Sequence, residues 1–292
     1  MRGQLQLIDD AKATLGEGPC WDRVNGVLYW VDIIEKKVHV YNPLLNSKRV
    51  IQLEQCPGTI VPRKSGGVVL AMDRAFYALD LMTERLTLLA GIPNEPAENR
   101  FNDGKCDAAG RFWAGTTPLA DIEPTGSLYC LEADLNVRHA FGGVVCSNGI
   151  AWSPDDKTMY YIDSLTREVE AFDYNAASGE IDGRRTVIKL PEGEGLPDGM
   201  TIDSEGMLWV AQWDGYKVSR WNPQNGERLE IIPVPAARVT SCTFGGEKLD
   251  ELYITTARNG LSDQALAEQP LAGGLFKIKT HVSGAANHPF VG

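Results

Sequence analysis

Asn148-Gly149-Ile150-Ala151-Trp152-Ser153 and, after a polar turn, Met159-Tyr160-Tyr161-Ile162-Asp163 set the pattern by which the whole chain is read. A polar residue and a glycine open an apolar run, a polar turn follows, and an aromatic-rich run closes the unit. The same pattern recurs as Glu17-Gly18-Pro19-Cys20-Trp21-Asp22 with Val27-Leu28-Tyr29-Trp30-Val31-Asp32, and as Asn102-Asp103-Gly104-Lys105-Cys106-Asp107 with Arg111-Phe112-Trp113-Ala114-Gly115. It recurs again as Asp198-Gly199-Met200-Thr201-Ile202-Asp203 with Met207-Leu208-Trp209-Val210-Ala211. Weaker copies begin near Thr59 and Ser241, so successive starts lie 42 to 50 residues apart. That period is the length of one four-stranded propeller blade. Third strands follow in register as Val38-His39-Val40-Tyr41-Asn42, Val169-Glu170-Ala171-Phe172-Asp173 and Val218-Ser219-Arg220-Trp221-Asn222, each alternating with the two-residue period of a half-buried strand. Residues 186–190 read as a fourth strand, and only residues 262–268 suggest a helix, a short one.

The expected fold is therefore all-β, a six-bladed β-propeller of four-stranded blades around a central tunnel, with residues 1–292 forming one domain. An open sheet edge invites aggregation, so the ring needs closing. Residues 4–8 are expected to do so, pairing as the outer strand of the last blade beside residues 274–278.

The repeat also carries the functional argument. Glu17, Asn102, Asn148 and Asp198 hold one register in four blades, in the loop leading into the innermost strand, and so converge on one mouth of the tunnel. Taken singly, Asn148-Gly149 and Asp198-Gly199 are ordinary turn dipeptides and Glu17 an ordinary loop carboxylate. Taken together, two carboxylates and two amide oxygens crowded on an axis need a cation to offset their burial. Oxygen donors suit Ca²⁺, Mg²⁺ or Mn²⁺, and a permissive site of this kind also admits Zn²⁺.

Other chemistries lack their residues. No nucleophile elbow, HExxH motif or phosphate loop is present. The four histidines, His39, His139, His281 and His288, fall in blade strands or in the tail, away from the tunnel register. A formal charge of −11 argues against nucleic acid and acidic membranes as partners. No apolar run is long enough to cross a bilayer, the first ten residues do not resemble a secretion signal, and six scattered cysteines read as reduced thiols, which together point to a cytoplasmic setting. No obligatory protein partner is indicated.

Seven motifs in order resemble one family across essentially the whole chain: the regucalcins and the bacterial gluconolactonase-like lactonases. They are Gly16-Glu17-Gly18-Pro19, Asn99-Arg100-Phe101-Asn102-Asp103-Gly104-Lys105, Ser147-Asn148-Gly149-Ile150-Ala151-Trp152, Tyr161-Ile162-Asp163-Ser164, Pro197-Asp198-Gly199-Met200, Thr240-Ser241-Cys242-Thr243-Phe244-Gly245-Gly246 and Ala272-Gly273-Gly274-Leu275-Phe276-Lys277. The resemblance implies metal ligation by Glu17, Asn148 and Asp198, with Arg100 and Asn102 binding substrate, so it moves Asn102 out of the ligand set. It implies metal-dependent hydrolysis of an aldonolactone such as gluconolactone; beside the metal, Asp198 is placed to act as general base on the attacking water. In some members an acidic residue on a loop covering the site takes part, which here would be Asp121 or Glu123 on residues 116–125. The family also implies two rival readings, a non-catalytic calcium-binding regulatory protein and a phosphotriesterase or esterase on the same propeller.

Overall fold

The computed structural model describes residues 3–119 and 123–292. Its strands assemble into six four-stranded antiparallel sheets arranged as a β-propeller. The first blade runs outward in chain order through Gly16–Asp22, Val27–Asp32, Lys37–Asn42 and Ser47–Gln52. The innermost strands of the other five are Pro57–Pro62, Asn99–Cys106, Ser147–Trp152, Leu196–Ile202 and Arg238–Gly245. Burial grades outward as the sequence pattern requires. Gly16–Asp22 and Val27–Asp32 are buried throughout, whereas Ser47–Gln52 is exposed at all but one position. Strands covered on both faces read as continuous apolar runs, and rim strands read as polar ones.

Aromatic rings weld neighbouring blades together. Trp21 lies 5.9 Å from Tyr253 (first and sixth blades), Phe76 lies 4.7 Å from Phe101 (second and third), Trp113 lies 6.2 Å from Trp152 (third and fourth), and Trp209 lies 5.6 Å from Phe244 (fifth and sixth). Burying each such ring contributes about 2–3 kcal/mol. The turns leaving the inner strands are held by the aspartates of the repeat. Asp22 Oδ1 accepts from the N–H groups of Val24 and Asn25, and Asp203 Oδ1 accepts from those of Glu205 and Met207.

The last blade closes the ring as expected, with Gln6–Asp9 pairing antiparallel to Leu275–Lys279 through Gln6–Lys277 and Leu7–Phe276. The helix is Asp263–Glu268, capped by the Ser262 side chain accepting from the Ala265 N–H. Among the described residues no helix is long and apolar enough to cross a membrane.

One element was not foreseen. The final segment, residues 281–292, straps the blades together at the ends of the innermost strands remote from Glu17, Asn102, Asn148 and Asp198. Ala285 N–H donates to Ile202 O, Asn287 Nδ2 to Thr243 Oγ1, Phe290 N–H to Pro62 O and Val291 N–H to Gly110 O.

Candidate active site at the tunnel mouth

Side chains at i and i−2 of an extended strand leave on the same side. The pairing registers align the blades: Gly16 faces Asp32, Phe101 faces Thr116, Ser147 faces Asp163 and Pro197 faces Gln212. The residue after each is Glu17, Asn102, Asn148 or Asp198, and the residue before each is Leu15, Arg100, Cys146 or Leu196. The site thus has two tiers, four polar groups deep in the mouth and four residues at its rim. All eight line one cavity of about 190 Å³, joined by Ser164, Leu165, Trp213 and Asn259.

The four polar residues sit on the innermost strands themselves, not in the loops before them. A β-bulge follows each one, because the pairing register shifts between Glu17 and Cys20, Phe101 and Gly104, Ser147 and Ile150, and Pro197 and Met200. The turn reading of Asn148-Gly149 and Asp198-Gly199 therefore fails. Neither glycine has a positive φ. A Cβ on Gly149 would stand 2.7 Å from Met200 N, and one on Gly199 would stand 2.1 Å from Ser241 Oγ, so these glycines let adjacent blades approach at the axis.

Polar groups at the tops of the second strands hold the entering segments in place. Asp32 accepts from the N–H groups of Thr14 and Leu15 at 2.8 and 3.1 Å, and Asp163 accepts from those of Val145 and Cys146, both at 2.9 Å. In the fifth blade Gln212 Nε2 donates to Glu194 O at 2.7 Å. In the third, Glu95 Oε1 accepts from Asn99 Nδ2 at 2.7 Å and from Thr116 Oγ1.

Hydrogen bonds then assign the amides. Asn102 Oδ1 accepts from Arg100 Nη1 at 2.7 Å, while Asn102 Nδ2 donates to Ser147 O at 2.8 Å and to Asn148 Oδ1 at 3.3 Å. Its oxygen is engaged by the arginine. Asn148 Nδ2 donates to Ser164 Oγ at 2.7 Å, and its Oδ1, which accepts only the long bond from Asn102, keeps a lone pair for the centre.

The carboxylates are short of positive charge. Burial pushes Glu17 up to about 8, the charge of Asp103 adds to the rise, and the Gly18 N–H and Arg100 offset it in part. Burial likewise holds Asp198 well above the ordinary carboxylate range, reinforced by Glu17 and Asp103. Asp103 is a third buried acid that the repeat register did not single out. It takes the position after the site residue where three other blades have Gly18, Gly149 and Gly199, and its own rise is offset by Lys105. Two buried, all but unpartnered carboxylates with an amide oxygen form an oxygen donor set that fits a hard divalent cation. Among the described residues no three His, Cys, Asp or Glu side chains are disposed to hold a metal ion. With Glu17 and Asp198 as the carboxylates of such a set, Asn148 Oδ1 would be the amide oxygen that completes it.

Glu123 is exposed and is not among the residues lining the cavity, and Asp121 lies outside the described residues. His39 is a packing residue, 7% exposed and stacked on Trp30. All six cysteines are free. The rim residues Leu15, Cys146 and Leu196 were readable as i−2 neighbours of the chosen set. Ser164, Trp213 and Asn259 carry no repeat signal.

Comparison with known proteins matches residues 15–258 to the SMP-30/Gluconolactonase/LRE-like region. Regucalcin of Oryctolagus cuniculus is 44% identical over 280 residues, 94% of each chain. Among solved structures, a luciferin-regenerating enzyme superposes with a TM-score of 0.92 at 32% identity, covering 99% of both chains. The calcium-binding protein regucalcin from Agrobacterium tumefaciens superposes with a TM-score of 0.94 at 27% identity, covering 99% of this chain and 97% of that one.

Proposed function

The chain belongs to the SMP-30/gluconolactonase/LRE-like family, and on that footing we propose that it hydrolyses a sugar lactone to the aldonic acid with the help of one divalent cation. The observation that carries this reading is the convergence of Glu17, Asn148 and Asp198 with Arg100 and Asn102 on one small cavity. A cation bound by Glu17, Asn148 and Asp198 would supply charge stabilisation to the lactone carbonyl oxygen. The chain's own residues do the rest. Arg100 and Asn102 offer the donors and acceptor that hold a polyhydroxylated ring. Asp198, which a cation beside it would keep ionised, accepts a proton from the attacking water as the oxygen of that water bonds to the carbonyl carbon. The ring C–O bond then breaks, and the proton passes to the departing ring oxygen. Glu17 and Asn148 orient the centre.

A net charge of −11 and six free cysteines support a small-molecule hydrolase of the cytoplasm with no nucleic-acid or membrane partner. The test is a pH-stat screen of D- and L-aldonolactones on metal-stripped protein, with Ca²⁺, Zn²⁺, Mn²⁺ or Mg²⁺ restored singly. Acid release that depends on an added cation is expected. Tight cation binding with no lactone turnover would overturn the reading in favour of a non-catalytic calcium-binding protein, the alternative that the calcium-binding relative from Agrobacterium tumefaciens favours.

A further inference from the structure

The residue capping the second strand differs from blade to blade in a way the chemistry of the deep tier does not explain. By their pairing with the rim residues, the equivalent positions are Ile33, Asp73, Thr117, Ser164, Trp213 and Ala257. Only the fifth blade puts an aromatic ring there. Of seven tryptophans, the other six are at most 8% exposed, whereas Trp213 is half-buried and lines the cavity. An indole left partly in water forfeits burial, and this one is also held in orientation. The Arg238 guanidinium lies over it, 4.6 Å from the ring centroid, and is fixed by Asp214 Oδ1 at 3.2 Å from its Nε. Arg238 holds the rim register that Arg100 holds in the third blade, yet it does not line the cavity. It is spent on the ring.

Trp213 shares the cavity lining with the apolar Leu15, Leu165 and Leu196 and with the polar Arg100 and Asn102 of the third blade. The volume of 190 Å³ falls below the roughly 300–1,000 Å³ of drug-sized sites and suits a single ring. A lactone ring carries its hydroxyls and carbonyl on its edges and presents C–H groups on a face. Building on the lactonase reading, we propose that Trp213 determines specificity: its indole takes the C–H face of one lactone ring while Arg100 and Asn102 hold the hydroxyl edge, so the site selects monocyclic sugar lactones over open-chain esters.

The test uses the metal-loaded protein and the variants Trp213→Ala, Trp213→Leu and Trp213→Tyr, with an aldonolactone and ethyl acetate as paired substrates. Trp213→Ala and Trp213→Leu should raise KM for the lactone about tenfold with kcat little changed, and Trp213→Tyr should recover most of the loss. For the open-chain ester, which presents no ring face, kcat/KM should fall less than for the lactone, so the ratio of the two narrows in Trp213→Ala and Trp213→Leu. Titration with the aldonate product should shift the tryptophan emission of the parent protein but not of Trp213→Tyr. A parental KM in Trp213→Ala and Trp213→Leu, or an emission change that persists in Trp213→Tyr, overturns the proposal. If the parent protein turns over no lactone, the lactonase reading fails by itself. The emission titration, run with the intact lactone, then decides the platform: a saturable change lost in Trp213→Tyr upholds it, and no change overturns it.

Discussion

Asp198 and Asn102 stand in the same tier of the same mouth, yet their surroundings give them different work. Asp198 is buried beside Glu17 and Asp103, and its charged form lacks a cationic partner. Asn102 is held by Arg100, Ser147 and Asn148, which leaves one acceptor position of its Oδ1 open to the cavity. Replacing Asp198 by Ala should abolish cation binding, read by calorimetry, and lower turnover by about a thousandfold or more. Asn102→Ala should leave cation binding near that of the parent and reduce kcat/KM by about ten- to a hundredfold, through loss of hydrogen bonds to the substrate and slackening of Arg100. Full lactonase activity in a Glu17→Ala, Asp198→Ala double variant would sink the mechanism. All four deep residues were legible from the chain because they share a blade register. That register could not set Asn102 apart from Glu17, Asn148 and Asp198, since the difference lies in side-chain hydrogen bonds, above all the one its Oδ1 accepts from Arg100. Trp213 was illegible for the opposite reason: it departs from the repeat, and a periodic reading registers what recurs.

At the scale of the element, the third strand of the first blade shows what a buried base costs. His39 is stacked on Trp30 with ring centroids 3.7 Å apart, and its Nε2 is buried without a hydrogen-bond partner among the described residues. Burial lowers its pKa from 6.5 to about 4, against a partial opposing pull from Asp9 and Asp32. The folded state therefore binds fewer protons than the unfolded state between those limits. Stability from this site is present above pH 6.5 and is lost as pH falls towards 4, by at most about 3 kcal/mol. His39→Phe keeps the stack and removes the titration, so urea unfolding at pH 7 and pH 4.5 should show a smaller acid loss than in the parent. An identical acid loss would exclude His39 as its source. The strand itself was readable from its alternation, and a place for His39 away from the site from its distance to the tunnel register, though not whether it packs or faces solvent. The bulges that follow the site residues were not, because a glycine required by a neighbouring blade looks in sequence like a glycine required by a turn.

At the scale of the whole molecule, the ring is held at its ends by two segments that lie outside the repeat. The strap of residues 281–292 ties the second, third, fifth and sixth blades together through backbone hydrogen bonds and Asn287. Phe290 within it is fully buried, so Phe290→Ala should cost about 3–5 kcal/mol in chemical unfolding while leaving the remote site intact. Closure rests on the other segment. Gln6–Asp9 covers the outer edge of Leu275–Lys279, and Lys48 Nζ from the first blade reaches Asp9 Oδ1 at 2.9 Å. Removing residues 1–9 bares the backbone donors and acceptors of a strand whose Leu275, Phe276 and Ile278 are buried, and such an edge recruits another chain. The truncated protein should associate in a concentration-dependent manner in light scattering. It should also melt lower by about 5 °C or more, at about 2–4 °C per kcal/mol for a domain of this size. Both effects should be absent from a control that replaces the side chains of Gln4 and Gln6 by alanine, because the ladder uses only their backbone. A truncated monomer with the parental melting temperature would mean that the sixth blade is stable with three strands and that the ring is closed by the aromatic contacts between blades alone.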